Sequence, residues 1–309
     1  MPELTAADEG PRPPGPEEQW SDSFYFGGGD PRRGVALYAR VGRRPGEGRV
    51  EGALGVWLPD GRFLLAFGRE PDSERIAAGP IRFDCRVPFE LWRIAIGGRG
   101  RVYGRAEDIA LARDRYEEVE LGGELRFTAW VDPIEFGSGL TGAVATRHYE
   151  QPGSLAGTIA VGGERLALAG AGMRDHSWGV RDWQSVPYWR WFGMVVDPDN
   201  FVMLNNVGLA DGDETVGGCL MRDGTLAPVV AGKTDSELDP ELGCQRRFRA
   251  EASDELGREL ELRGEAVSVA PLRQRRDGRL TLVNEGLTRL SWEGHQGLGI
   301  SEYLIQAPA

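Results

Sequence analysis

Leu155-Ala156-Gly157-Thr158-Ile159-Ala160-Val161, followed by Gly162-Gly163 and then Glu164-Arg165-Leu166-Ala167-Leu168, is the stretch whose reading decides the fold class. Apolar side chains recur at alternate positions up to a two-glycine break and resume beyond it. In an extended strand successive side chains point to opposite faces. A Gly-Gly pair supplies the backbone that a two-residue hairpin requires. The same texture continues outward. Asp60-Gly61 precedes Arg62-Phe63-Leu64-Leu65-Ala66-Phe67, and Asp223-Gly224 marks another turn. Residues 248–269 read as a hairpin centred on Asp254-Glu255-Leu256-Gly257, and Gly97-Gly98 and Gly122-Gly123 also read as turns. Connections this short join antiparallel strands and leave no room for βαβ crossovers. Helix is expected only as a short amphipathic turn at 106–112. Strands broken roughly every eight to twelve residues describe a sandwich or a barrel.

At 309 residues the chain can build two cores. The strand texture repeats, which places a boundary near residue 145. The expected organisation is a disordered tail at 1–19, rich in Pro, Glu and Gly, then one domain at 20–145 and a second at 146–309. A net charge of −12 repels nucleic-acid phosphates and anionic membrane surfaces. No apolar run approaches the about 20 residues that span a bilayer, and the opening residues lack the features of a signal peptide. Cys85, Cys219 and Cys244 are odd in number and scattered, which reads as reduced thiols in a cytoplasmic protein.

Three histidines without ligand spacing argue against a metal site. A single lysine, Lys233, makes Schiff-base chemistry a poor fit. Gly27-Gly28-Gly29-Asp30 reads as a turn rather than a nucleotide loop, since no helix follows it. The expected protein has no metal or organic cofactor, a hydrophobic small molecule as its partner, no nucleic-acid partner, no membrane insertion, and a monomeric or homodimeric state.

The run Arg174-Asp175-His176-Ser177-Trp178-Gly179-Val180-Arg181-Asp182-Trp183 puts four charged residues, a histidine and two tryptophans into ten positions. This is a polar network in an aromatic wall, the composition of a site that grips or transforms a mostly apolar ligand. In an extended strand Arg174, His176 and Trp178 share one face, and Asp175 and Ser177 share the other. Asp175 and His176 then reach one lumen only across a bulge. Two readings stay open. His176 is a proton donor or acceptor whose tautomer is set by Asp175 or another carboxylate. Alternatively, Arg174 and Asp175 pair with Arg181 and Asp182 to brace a loop.

On Tyr188-Trp189-Arg190-Trp191-Phe192-Gly193-Met194, Trp189 and Trp191 share one face, and Tyr188, Arg190, Phe192 and Met194 the other. A guanidinium on an aromatic strand needs a strong reason, which favours a site role for Arg190. Glu302 shares a face with Ile300 and Leu304. It is expected to pair with Arg190 or Arg174, or else to serve as an acid of raised pKa.

The run from Gly170-Ala171-Gly172-Met173 through Arg174-Asp175-His176-Ser177-Trp178-Gly179 resembles the Asp-His-x-Trp-Gly motif of the AttH/carotenoid-hydratase-like proteins. His148-Tyr149-Glu150-Gln151, Tyr188-Trp189-Arg190-Trp191-Phe192 and Gly299-Ile300-Ser301-Glu302-Tyr303-Leu304 are similar to segments of a bacterial branch of that group. The resemblance implies an all-β fold of two lipocalin-like antiparallel β-barrel domains packed against each other. It also implies hydratase, cyclase or pericyclase chemistry on an isoprenoid- or polyketide-like molecule held between the domains. The catalytic candidates are His176, Asp175, Glu302 and Arg190. The substrate-binding candidates are Trp178, Tyr188, Trp189, Trp191, Tyr303 and His148. The competing expectation is a carrier, because lipocalin-like barrels are containers by construction.

Overall fold

Antiparallel pairing accounts for every strand ladder in the structure, a computed structural model that describes residues 3–135, 145–209, 211–276 and 278–307. The first eleven strands are β1 (Trp20–Asp30), β2 (Val35–Arg44), β3 (Arg49–Trp57), β4 (Phe63–Pro71), β5 (Ala77–Ala78), β6 (Ile81–Val87), β7 (Leu91–Tyr103), β8 (Glu117–Ala129), β9 (Ile134–Glu135), β10 (Arg147–Val161) and β11 (Glu164–Val180). Their hydrogen-bonded order is β4-β3-β2-β1-β11-β10-β8-β7-β6-β5, with β9 on β10. Phe63, Leu64 and Leu65 of β4 pair with Tyr103, Val102 and Arg101 of β7, which closes the strands from β4 round to β7 into a ring. Phe26, Leu54, Ile94, Phe127 and Leu155 are among the side chains that fill it.

Eight further strands follow: β12 (Tyr188–Asp197), β13 (Asn200–Gly208), β14 (Glu214–Arg222), β15 (Thr225–Leu238), β16 (Gln245–Asp254), β17 (Glu259–Arg276), β18 (Arg279–Trp292) and β19 (His295–Gln306). They form a closed barrel in sequence order, around a core that includes Phe192, Leu204, Leu220, Phe248, Leu262 and Tyr303. The single-turn helix α1 (Asp108–Leu111) belongs to this second unit.

The division of the chain differs from the boundary expected near 145. Among the described residues, the first unit comprises 3–104, 116–135 and 145–181, and the second comprises 105–115 and those from 182 to 307. The reason is pairing. β10 hydrogen-bonds to β8, and β11 to β1, so the Asp-His motif completes the first sheet instead of opening a second domain.

Gly162 and Gly163 form the expected turn, with φ of 58° and 90°, values that glycine adopts without a steric penalty. Gly97 and Gly122 are not turn residues; they pair with each other inside β7 and β8. The Gly27–Gly29 run is likewise interior to β1. A Cβ at Gly28 would lie 2.6 Å from both Ala171 O and Gly172 Cα, so glycine there permits close packing of β1 on β11.

The segment expected as a disordered tail is described from residue 3 onward. Ala6–Glu9 is a 3-10 turn whose Asp8 and Glu9 are buried. Among the described residues no helix is long and apolar enough to cross a membrane.

Candidate functional site

Register builds the site. Across three neighbouring strands of the first unit, Tyr149 (β10), His176 (β11) and Phe24 (β1) are direct partners. Gln151, Arg174 and Phe26 form the next row on the same face, and Arg147, Trp178 and Asp22 the row on the other side. Because strand side chains alternate, all these residues project to one face, and Asp175 and Ser177 project to the other.

His176 is fully buried and stacks on Phe24 with ring centroids 3.9 Å apart. Its Nε2 lies 2.7 Å from Asp22 Oδ1. Its Nδ1 lies 2.9 Å from the Asp8 carbonyl oxygen and 3.3 Å from the Tyr149 hydroxyl. Each ring nitrogen therefore faces an oxygen that can accept, the Asp22 carboxylate on one side and the Asp8 carbonyl on the other. Asp22 also accepts the Arg12 N–H at 2.8 Å.

Beyond Tyr149 lies Glu9. It accepts from the Tyr149 hydroxyl, from Arg174 Nη2 at 2.8 and 2.9 Å, from Trp92 Nε1 at 3.0 Å and from the Phe89 N–H at 2.8 Å. Arg174 Nη2 also donates to Gln151 Oε1. The guanidinium lies over the rings of Trp92 and Tyr149. Its Nε and Nη1 are buried without a hydrogen-bond partner among the described residues, a cost of about 1–3 kcal/mol for each unmade bond.

Burial pushes the Tyr149 phenol well above its ordinary pKa; the Arg174 charge opposes this and Glu9 reinforces it. Tyr149 is therefore held as a donor. Asp8 behaves oppositely. Burial raises it, but hydrogen bonds from Thr5 and the charges of Arg12 and Arg147 outweigh that and hold it below the usual range.

The opposite face of the same strands carries a second row. Glu150, Asp175, Tyr25 and Arg40 are successive cross-strand partners on β10, β11, β1 and β2. His148 Nε2 is 3.3 Å from Glu150 Oε1. Burial, with the Arg181 and His176 charges, nevertheless lowers His148 to about 3. Burial and the Arg181 and Arg44 charges lower Arg40 to about 10, against the opposing pull of Glu51 and Asp175.

The remaining candidates lie in the second unit. Arg190 donates to the Thr234 carbonyl at 3.0 Å, sits 3.7 Å from Glu214 and covers the Tyr188 ring. Tyr188 donates to Glu214 at 2.7 Å, and the Tyr303 hydroxyl meets Ser236 at 2.6 Å. Trp191 and Glu302 are cross-strand partners on the other face of β12 and β19.

One pairing left open is filled, and two others differ from expectation. The carboxylate on His176 is Asp22, not Asp175, because strand alternation turns Asp175 away. Glu302 accepts from Trp189 Nε1 at 2.5 Å, while Arg190 pairs with Glu214 and Arg174 with Glu9. The bracing role expected of Arg174 is absent for the same reason; in that turn Arg181 donates to Ser177 at 3.1 Å, and Asp182 accepts the Gln184 N–H at 3.0 Å. Glu9, Asp8, Asp22 and Trp92 escaped sequence reading. Glu9 lies 165 positions from Arg174, and nothing local marks it. Tyr149 and Gln151 were visible only as parts of the similar segment at 148–151. Among the described residues no group of three or more His, Cys, Asp or Glu could hold a metal ion.

A family profile described as "Domain of unknown function (DUF7064)" matches residues 5–307. No curated protein matches the chain. Among solved structures, a protein of Nitrosomonas europaea assigned as AttH superposes with a TM-score of 0.61 at 13% identity, covering 92% of each chain. CghA gives 0.60 at 12% identity, covering 94% of this chain and 90% of its own, and has also been solved with Sch210972. Kievitone hydratase of Nectria haematococca gives 0.60 at 10% identity, covering 94% and 89%. At these identities the likeness establishes the AttH-like lipocalin fold.

Proposed function

We propose that this chain, which belongs to the DUF7064 family, is a cofactor-independent hydratase or cyclase, pericyclases included, that acts on an apolar small molecule. The observation that carries the reading is the buried line Asp22–His176–Tyr149, set against Phe24 and Trp178. In this reading Tyr149 gives its proton to the substrate, and His176 Nδ1, 3.3 Å behind it, replaces that proton. Asp22 stabilises and orients the imidazole. The surrounding rings favour positive charge developing on carbon. That one structural neighbour is a hydratase supports the class of chemistry.

A carrier is the second reading. It is favoured by the saturation of His176 and Glu9, since both His176 nitrogens and both Glu9 oxygens already have partners.

Incubation with a lipid extract, followed by mass spectrometry, separates the two. An enzyme alters a bound species, whereas a carrier returns it unchanged. With a converted species in hand, His176→Gln is expected to lower turnover by roughly 10²- to 10⁴-fold while the fold survives. A variant that is destabilised but fully active per folded molecule would leave His176 a structural residue.

A further inference from the structure

The donors around Glu9 belong to the sheet, and Glu9 does not. Arg174 projects from β11, Tyr149 from β10 and Trp92 from β7, and the Phe89 N–H lies just before β7. Glu9 is delivered by one 3-10 turn in residues 3–19, which contribute no strand. Within the turn Thr5 donates to Asp8 at 2.8 and 2.9 Å, and Arg12 pairs with Asp8 at 3.0 Å. Leu4, just ahead of the turn, packs on the buried cluster of Trp20, Tyr149 and Trp178. This segment offers the barrel the Glu9 carboxylate and the Leu4 side chain, beside the Asp8 carbonyl on His176 Nδ1 and the Arg12 N–H on Asp22. Arg174 meanwhile keeps buried Nε and Nη1 donors without acceptors. A buried donor left unmade in an otherwise bonded network marks capacity for a different occupant.

We propose that Glu9 and Leu4 occupy a ligand's place: Arg174, Trp92, the Phe89 N–H and Tyr149 form a carboxylate pocket for an apolar molecule ending in a carboxylate, which enters when residues 4–12 withdraw. The ligand's carboxylate replaces that of Glu9 on Arg174. Its apolar body replaces Leu4 against Trp20 and Trp178. The guanidinium stays paired in both states, so the exchange leaves no buried charge uncompensated. Tyr149, released from Glu9, then faces the carbons next to the bound carboxylate. This deepens the proton-transfer reading by naming the substrate class for the same residues.

The test is calorimetric binding of two probes, dodecanoate and dodecanol, to full-length protein. Wild type is expected to prefer dodecanoate. Glu9→Gln keeps a side chain of the same shape but removes its charge, so the competitor binds Arg174 less strongly. Dodecanoate affinity should rise about tenfold, the equivalent of losing one charge-assisted hydrogen bond, and dodecanol, which must displace the same segment, should tighten with it while the preference for dodecanoate persists. Arg174→Gln should abolish the preference. Equal affinities of wild type for the two probes, or no tightening of dodecanoate by Glu9→Gln, overturns the proposal. If Glu9→Gln does not fold, wild type decides the matter. Dodecanoate should then speed amide hydrogen exchange across residues 5–12, including the Arg12 N–H held by Asp22, and unchanged or slowed exchange overturns the pocket. Binding is read without turnover. Failure here leaves the roles of Tyr149 and His176 standing, and failure of the turnover test leaves the pocket standing.

Discussion

The two barrels each hold an arginine among aromatic rings and carboxylates, and they treat it differently. Arg174 and Glu9 in the first unit have side-chain exposures of 1% and 2%, and the contacts are close. Arg190 and Glu214 in the second are exposed by 21% and 25% and stand 3.7 Å apart. Arg190 has a backbone carbonyl and the Tyr188 ring to share its charge, and water reaches it. Arg174 has the Trp92 and Tyr149 rings and Gln151 Oε1, but at 1% exposure no water. The comparison teaches that residue type does not decide what a charge is worth; the dielectric around it does. A costly buried pair that still leaves donors unmade calls for a functional explanation, whereas a half-wetted pair at low cost does not.

The largest expected effect tests the dry side of the comparison. Arg174→Met strands the Glu9 carboxylate in the first barrel and should lower unfolding stability by about 3–5 kcal/mol in chemical denaturation. Combining it with Glu9→Gln should restore most of the loss, since the charge left behind is then gone. A double variant as unstable as the single one would mean that packing, not charge, sets the cost.

An intermediate effect concerns pH. His148 has its pKa lowered to about 3 in the folded protein, against about 6.5 when unfolded. The unfolded chain therefore binds more protons between these values, and stability falls as pH drops through that window. The Glu150 carboxylate and the Arg181 charge face the ring. Between pH 7 and pH 5 the loss should be about 2 kcal/mol. His148→Gln should remove that part of the slope, read as the difference in denaturation midpoints of the two proteins at the two pH values. An unchanged slope in the variant would place the acid sensitivity elsewhere.

The smallest effect tests the wet side. Arg190→Met should change stability by no more than about 1 kcal/mol, and less at high salt. A loss as large as that of Arg174→Met would erase the contrast between the barrels.

What the amino-acid sequence determined by itself is what depends on near neighbours. Alternation and the Gly162-Gly163 and Asp223-Gly224 turns establish antiparallel β structure, because side-chain direction and left-handed backbone are local properties. The same alternation correctly separates Arg174, His176 and Trp178 from Asp175 and Ser177. Sequence could not tell a turn glycine from one inside a strand, as Gly97 and Gly122 demonstrate, because the difference lies in the opposing strand. Nor could it assign β10 and β11 to the first unit, since closure of a ring is a long-range pairing. Only tertiary structure decided that Asp22, not Asp175, holds His176, and that Glu9 from an unremarkable tail meets Arg174. The physical reason is common to both. A buried charge takes whatever partner the fold brings within hydrogen-bond reach, at any separation along the chain, and no local pattern records that choice.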